Sequence, residues 1–385
     1  MSLTSAKWTL LLSSTLTVMS GATIAASLPQ MAIVFNANPQ ALFLSKLVLT
    51  LPAIFIVFSS PVFGRLSDKL GRIKILNVCL ILYAISGVSG FFFNDFYSIL
   101  VGRAFLGIAV GGISTMIVTL VGDMFESKER EGFISLQSAF MSMGGVCFIF
   151  VGGILAHLNW KLPFLIYSLS IPILILSLIS LRSTASHKTV VREKTSVKLF
   201  KPLIGIYLII FLSMAIFYLI PTQVPFLLES KGYTNPSLAG LVIAVSSFAS
   251  VIASLNFKKI KQKLSAKAIF YLLFTLIAVG YFALSRSNTF IQILLSLVVS
   301  GLGVGLILPN VNTYLLKIAP DKIRGSATGI LTACLFAGQF SSPIIIDTLT
   351  TTTTISANFE IVSISIIIIM FPVVFFQFRN KEARL

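Results

Sequence analysis

Twelve acidic side chains in 385 residues limit the chemistry this chain can do. None lies in the middle of an apolar run. Asp68, Asp123, Glu126, Glu129 and Glu131 stand at one set of run ends, Asp95, Glu229, Asp347 and Glu360 at or near the other, and Glu193, Asp321 and Glu382 in loops or the tail. Two cations, Lys46 and Arg103, do fall inside apolar runs. A charge at that depth costs at least a few kcal/mol, so it is a functional candidate by default. Buried cations without buried acids suit a neutral, zwitterionic or anionic ligand. Exchange of an organic cation for a proton would call for a buried carboxylate, so any coupling proton is expected at the entrance acids Asp68 and Asp123. Further polar candidates at mid-depth are Thr23, Gln137, Tyr218, Gln223, Asn310 and Gln339, with Thr50, Met141, Ser246 and Tyr314 beside them. Pro225 and Pro309 could loosen the backbone there. His157 and His187 lie in different loops with no acid nearby, so no catalytic residues, and no enzyme, are expected. Cys79, Cys147 and Cys334 have no disulfide or metal spacing. No metal or cofactor is expected.

The elements that must position these groups follow from composition. Hydrophobic residues are 56% and charged residues 11% of the chain, against about 25% charged in a soluble domain. Mean hydropathy is +0.98. The apolar runs reach the roughly 20 residues that cross a bilayer as helix and lack the alternation of barrel strands. Twelve spans are expected, at about 8–29, 41–63, 74–92, 97–121, 132–156, 162–181, 203–228, 237–256, 267–285, 289–316, 326–347 and 357–378. The run from Trp8 to Pro29 reads as the first span rather than a cleaved signal. With the N-terminus in the cytoplasm, all but Lys46, Arg103, Lys161, Lys231 and Arg286 of the 29 Lys and Arg fall in cytoplasmic segments or at their edges. Both termini are therefore expected inside. The net charge of +17 reads as an orientation signal, and no nucleic-acid partner is expected.

The basic segment 182–201 divides the chain into six-span halves, 1–181 and 202–385. A shift of 194 residues lays Gly107 on Gly301, Gly111 on Gly305, Lys69-Leu70 on Lys263-Leu264 and Arg130 on Arg324, and Arg103 on Leu297. Six spans separate the halves, so they point the same way, as in a parallel repeat with a site between bundles.

One stretch is dense in charge: GRLSDKLGRIK, residues 64–74. It resembles the signature loop of the major facilitator superfamily, G-x-L-[A/S]-D-[R/K]-x-G-R-[R/K], at Gly64, Leu66, Ser67, Asp68, Lys69, Gly71 and Arg72; Lys74 falls one place beyond the last basic position. Glycine allows the tight connection and close helix approach. Asp68 can face a helix N-terminus, and Arg72 can hold it by a charge-assisted pair. The resemblance implies an all-α membrane protein of two six-helix bundles. It implies a conformational latch made by this loop with Asp123 and the start of span 11 near Gly325. Arg103, in RAFLGIAVGG, is similar to the span-4 arginine motif of the same family. The pattern is closest to the 12-helix drug–proton antiporter branch, whose span 5 carries G-x-x-x-G-P-x-x-G-G. Here GGVCFIFVGG keeps Gly144, Gly152 and Gly153 and puts Phe148 and Ile149 in place of the central Gly-Pro. The implied function is secondary active transport by alternating access, as proton-coupled efflux of amphipathic small molecules. The other reading is a proton-coupled importer of a polar metabolite on the same fold. A bacterial inner membrane, a monomer, a small-molecule substrate, protons and the lipid bilayer complete the expectation.

Overall fold

The computed structural model describes residues 3–125, 127–181, 197–320, 323–349 and 354–382; most of the basic connection, residues 182–196, lies outside them. Among the described residues, twelve helical spans are long and apolar enough to cross a membrane: Ser5–Val34, Ala41–Ser67, Arg72–Phe92, Phe96–Met124, Gly132–Leu158, Leu162–Ser180, Leu199–Ser230, Pro236–Leu255, Ala266–Ser285, Phe290–Ile318, Arg324–Thr348 and Ile355–Phe378. They pack as two compact units, Met1–Arg192 with Asn235–Leu241, and Glu193–Thr234 with Val242–Leu385.

Three spans are interrupted. Span 1 divides into helices Leu3–Ala22 and Leu28–Val34, span 7 into Ile204–Phe217 and Leu219–Ser230, and span 10 into Phe290–Val304 and Ile307–Ile318. Each break lies three or four residues ahead of a proline, at Ala25, Tyr218 and Gly305 ahead of Pro29, Pro221 and Pro309. Proline has no N–H for the carbonyl one turn back, and its ring crowds that carbonyl. The expected loosening at Pro309 is present. In span 7 it falls at Pro221 instead, and Pro225 sits inside a continuous helix. Proline alone does not decide the matter, since Pro52 and Pro61 also lie within one unbroken helix, Ala41–Leu70. Span 12 carries a π-helical turn, Ile366–Met370.

The internal repeat extends to packing partners. A Cβ on Gly107 would collide with the Pro52 carbonyl, and one on Gly111 would crowd the Ile56 carbonyl. In the second unit the collisions are Gly301 with the Ser246 carbonyl and Gly305 with the Ser250 carbonyl. Pro52 and Ile56 map onto Ser246 and Ser250 by the same shift that maps the glycines. Each unit thus seats its fourth helix on its second through two glycines one turn apart. Gly107→Val and Gly301→Val are each expected to lower the unfolding temperature in detergent by several degrees. Gly329→Val, at a glycine with open space around it, is the control and should change it little.

Helix ends follow local chemistry. Gly71, at φ +87°, separates helix Ala41–Leu70 from Arg72–Phe92 in a conformation open to glycine. The repeat places Ser265 there in the second unit, and its side chain instead accepts from the Ala268 amide. Asp95 caps helix Phe96–Met124 by accepting from the Ser98 amide at 2.8 Å. The amide and hydroxyl of Ser98 hold its carboxyl below the usual value. The carboxylate's contribution is therefore complete above the unfolded-state pKa, about 3.9, and is lost as pH falls through the lowered folded value. Asp95→Ala is expected to lower the unfolding temperature at neutral pH, with the gap to wild type closing in acid.

Candidate functional site

In the first unit the polar centre is Arg103, 1% exposed. Its guanidinium donates through Nε to the Val48 carbonyl at 2.8 Å, through Nη2 to the Ser20 carbonyl at 2.6 Å and through Nη1 to the Tyr167 hydroxyl at 2.9 Å. Both carbonyls lack a helical donor for physical reasons. Val48 lies four residues before Pro52, which has no N–H. Ser20 is in the last turn of helix Leu3–Ala22, where carbonyls have no partner within the helix. The negative end of that helix also favours the cation. Arg103 thus joins spans 1, 2 and 6 to span 4 through three neutral acceptors. The Tyr167 ring lies 5.4 Å from the guanidinium carbon and meets Tyr83 edge-on, with centroids 5.8 Å apart. The Tyr83 hydroxyl donates to the Leu16 carbonyl at 2.8 Å. Sequence reasoning missed Tyr83, Tyr167 and the role of Pro52; the only signal was a proline four residues after Val48.

The second unit meets the same need without charge. The repeat places Ile277 and Ile361 where the first unit has Tyr83 and Tyr167, and an edge-on pair is made nearby in sequence by Tyr281 and Phe359, with centroids 5.4 Å apart. The broken span 7 has its last-turn carbonyls satisfied by neutral groups: Tyr281 donates to Ile216 at 2.8 Å and Ser342 to Ala215 at 2.7 Å. Leu297, at the Arg103 position, is fully buried. The cation and the hydroxyl beside it are present together in one unit and absent together in the other.

In the charged loop the described ion pair of Arg72 is with Asp123 rather than the expected Asp68. The Arg72 Nη1 also donates to the Thr119 carbonyl at 3.2 Å. A Cβ on Gly64 would meet Thr115 at ordinary contact distance, and Lys69 is exposed. The side chain of Asp68 lies outside the described ones. Of the span-5 glycines, Gly144 packs on Thr15, Gly152 on the Thr23 carbonyl at the span-1 break, and Gly153 on Gly240. They are points of close approach.

The remaining candidates differ in how well they are satisfied. Thr23 is buried and donates to its own helix at the Met19 carbonyl, 2.6 Å. Gln137 and Gln339 are half-buried. Tyr218 marks the span-7 break and is buried. Asn310 donates to the Ala266 carbonyl at 3.0 Å and leaves its Oδ1 unmatched. Gln223 is buried with both amide atoms unmatched. Among the described residues, the buried ionisable groups include Lys46 and Arg103 and no carboxylate.

A family model described as Major Facilitator Superfamily matches residues 10–343 and 206–384. The chain belongs to the Major Facilitator Superfamily. It is a multi-pass membrane transporter and not an enzyme. Among relatives within the superfamily, it is 24% identical over 324 residues to the Bacillibactin exporter of Bacillus subtilis (strain 168), covering 77% of this chain and 79% of that one. It is 25% identical over 300 residues to the Tetracycline resistance protein, class H, of Pasteurella multocida, covering 74% of each. Its fold superimposes on a crystal structure of a D-xylose–proton symporter with a TM-score of 0.80, at 15% identity, over 95% of this chain and 97% of that one. Similarity that low concerns the fold alone.

Proposed function

We propose that this superfamily member is a proton-coupled exporter of amphipathic small molecules that are neutral, zwitterionic or anionic. It works as a monomer by alternating access in a bacterial inner membrane, with both termini in the cytoplasm, and nucleic acid plays no part. One observation carries the substrate class: among the described residues, buried cations occur without a buried carboxylate. A cationic substrate entering such an interior would meet repulsion from Arg103 with no compensating acid. Relatives called an exporter and a resistance protein support the outward direction; the span-5 motif, with Phe148 and Ile149 in place of its Gly-Pro, supports it only at its outer glycines. The halves 1–181 and 202–385 are the two moving bodies of alternating access, and 182–201 links them. Gly64, Asp68, Lys69, Gly71, Arg72 and Asp123 latch one state, and Asp68 and Asp123 carry the coupled proton. Arg103 holds the span-1 break in register with span 4.

Right-side-out proteoliposomes with a pH-sensitive dye in the lumen test the direction, with tetracycline added outside as the probe. Antiport drives protons outward and makes the lumen alkaline. Acidification of the lumen would make the protein an importer.

A further inference from the structure

Gln223 stands in the second unit on helix Leu219–Ser230, between Pro221 and Pro225. It is 1% exposed, and neither its Oε1 nor its Nε2 meets a hydrogen-bond partner. Other polar side chains of the same helix are satisfied locally: Thr222 donates to the Tyr218 carbonyl at 2.6 Å and Ser230 to the Leu227 carbonyl at 2.8 Å. A carboxamide buried with donor and acceptor both unmatched destabilises a fold, and an apolar side chain of equal length in the same place would not. Under the repeat, the first unit has Pro29 at this position, so the amide is no shared structural requirement. The second unit keeps a polar group that weakens it.

We propose that Gln223 hydrogen-bonds the transported molecule through both ends of its amide. The molecule then presents a donor and an acceptor side by side, as a primary carboxamide or an un-ionised carboxylic acid does. A carboxylate engages Nε2 alone, and a quaternary ammonium engages neither atom. A site built this way discriminates strongly against analogues that lack the matching group. The inference rests on the transporter reading above and is independent of the direction of transport.

The test uses the full chain in lipid nanodiscs, followed by thermal unfolding. The variants are Gln223→Met, which conserves length, and Gln223→Leu. The probes are benzamide and N,N-dimethylbenzamide, which keeps the acceptor and loses both donors. Without probe, the variants are expected to unfold a few degrees above wild type. Benzamide should raise the wild-type temperature, dimethylbenzamide should raise it less, and neither should move the variants. The proposal is overturned if both variants unfold at or below wild type, or if neither can be purified folded. It is equally overturned if benzamide leaves wild type unmoved or shifts wild type and variants alike. Each of these results leaves the proton-direction measurement untouched, so failure of the exporter reading would be seen separately.

Discussion

Arg103→Leu is expected to abolish transport and to cost on the order of 4 kcal/mol of stability. The size follows from what the guanidinium satisfies. Three charge-assisted hydrogen bonds disappear together, leaving the Val48 and Ser20 carbonyls and the Tyr167 hydroxyl buried; each such bond is worth about 1.5–3 kcal/mol and each orphan costs about 1–3. Part of the loss is avoided by a solvation term no longer incurred, that of the buried cation itself. The second unit supplies the control. Under the repeat it has Leu297 at the Arg103 position and Ile361 at the Tyr167 position, so Arg103→Leu with Tyr167→Phe removes the cation and the hydroxyl together, as the second unit does. The double variant should recover about 1 kcal/mol, because one orphan fewer is left, yet remain inactive. Thermal unfolding in nanodiscs and probe flux into vesicles separate the two readouts. A double variant that transports normally would reduce Arg103 to a packing residue.

Asp123→Asn is expected to lower the transport rate at least tenfold while leaving the protein folded. The Arg72–Asp123 pair is about one-fifth exposed at each side chain, and the Asn side-chain oxygen can still accept from Arg72, so the cost to folding is small. Its expected importance is conformational. A pair that forms in one state of a two-state transporter shifts the populations by its differential energy, and a shift of about 1.4 kcal/mol is tenfold. Arg72→Gln removes the same contact and leaves the proton-carrying carboxyl in place, so its loss should be the smaller, and the double variant should be little worse than Asp123→Asn alone. Additive losses would show that Arg72 and Asp123 act separately.

Much of the architecture is legible in the residues because the bilayer imposes long apolar helices. The twelve spans follow from run length, and the pairing of Gly107 with Gly301 anticipates a repeat that the structure extends to Pro52 and Ser246. Breaks were harder to place. Pro221, Pro225 and Pro309 look alike in sequence, and packing decides which carbonyl opens. The site was less legible still. Arg103 stands out as a charge in an apolar run, but its acceptors come from spans 1, 2 and 6, and no local pattern brings them together. Thr23, Gln223 and Asn310 are equally polar on paper. Their difference is whether a carbonyl lies within reach, and that depends on the folded geometry of each helix.

The claim that most needs testing is the class of molecule carried. Everted membrane vesicles with an acid lumen allow one direct measurement: accumulation of tetracycline against that of tetraphenylphosphonium, a permanent cation. The account predicts that tetracycline accumulates with the proton gradient and tetraphenylphosphonium does not, and that Arg103→Leu vesicles accumulate neither. Gradient-driven accumulation of tetraphenylphosphonium by the wild-type protein would contradict it.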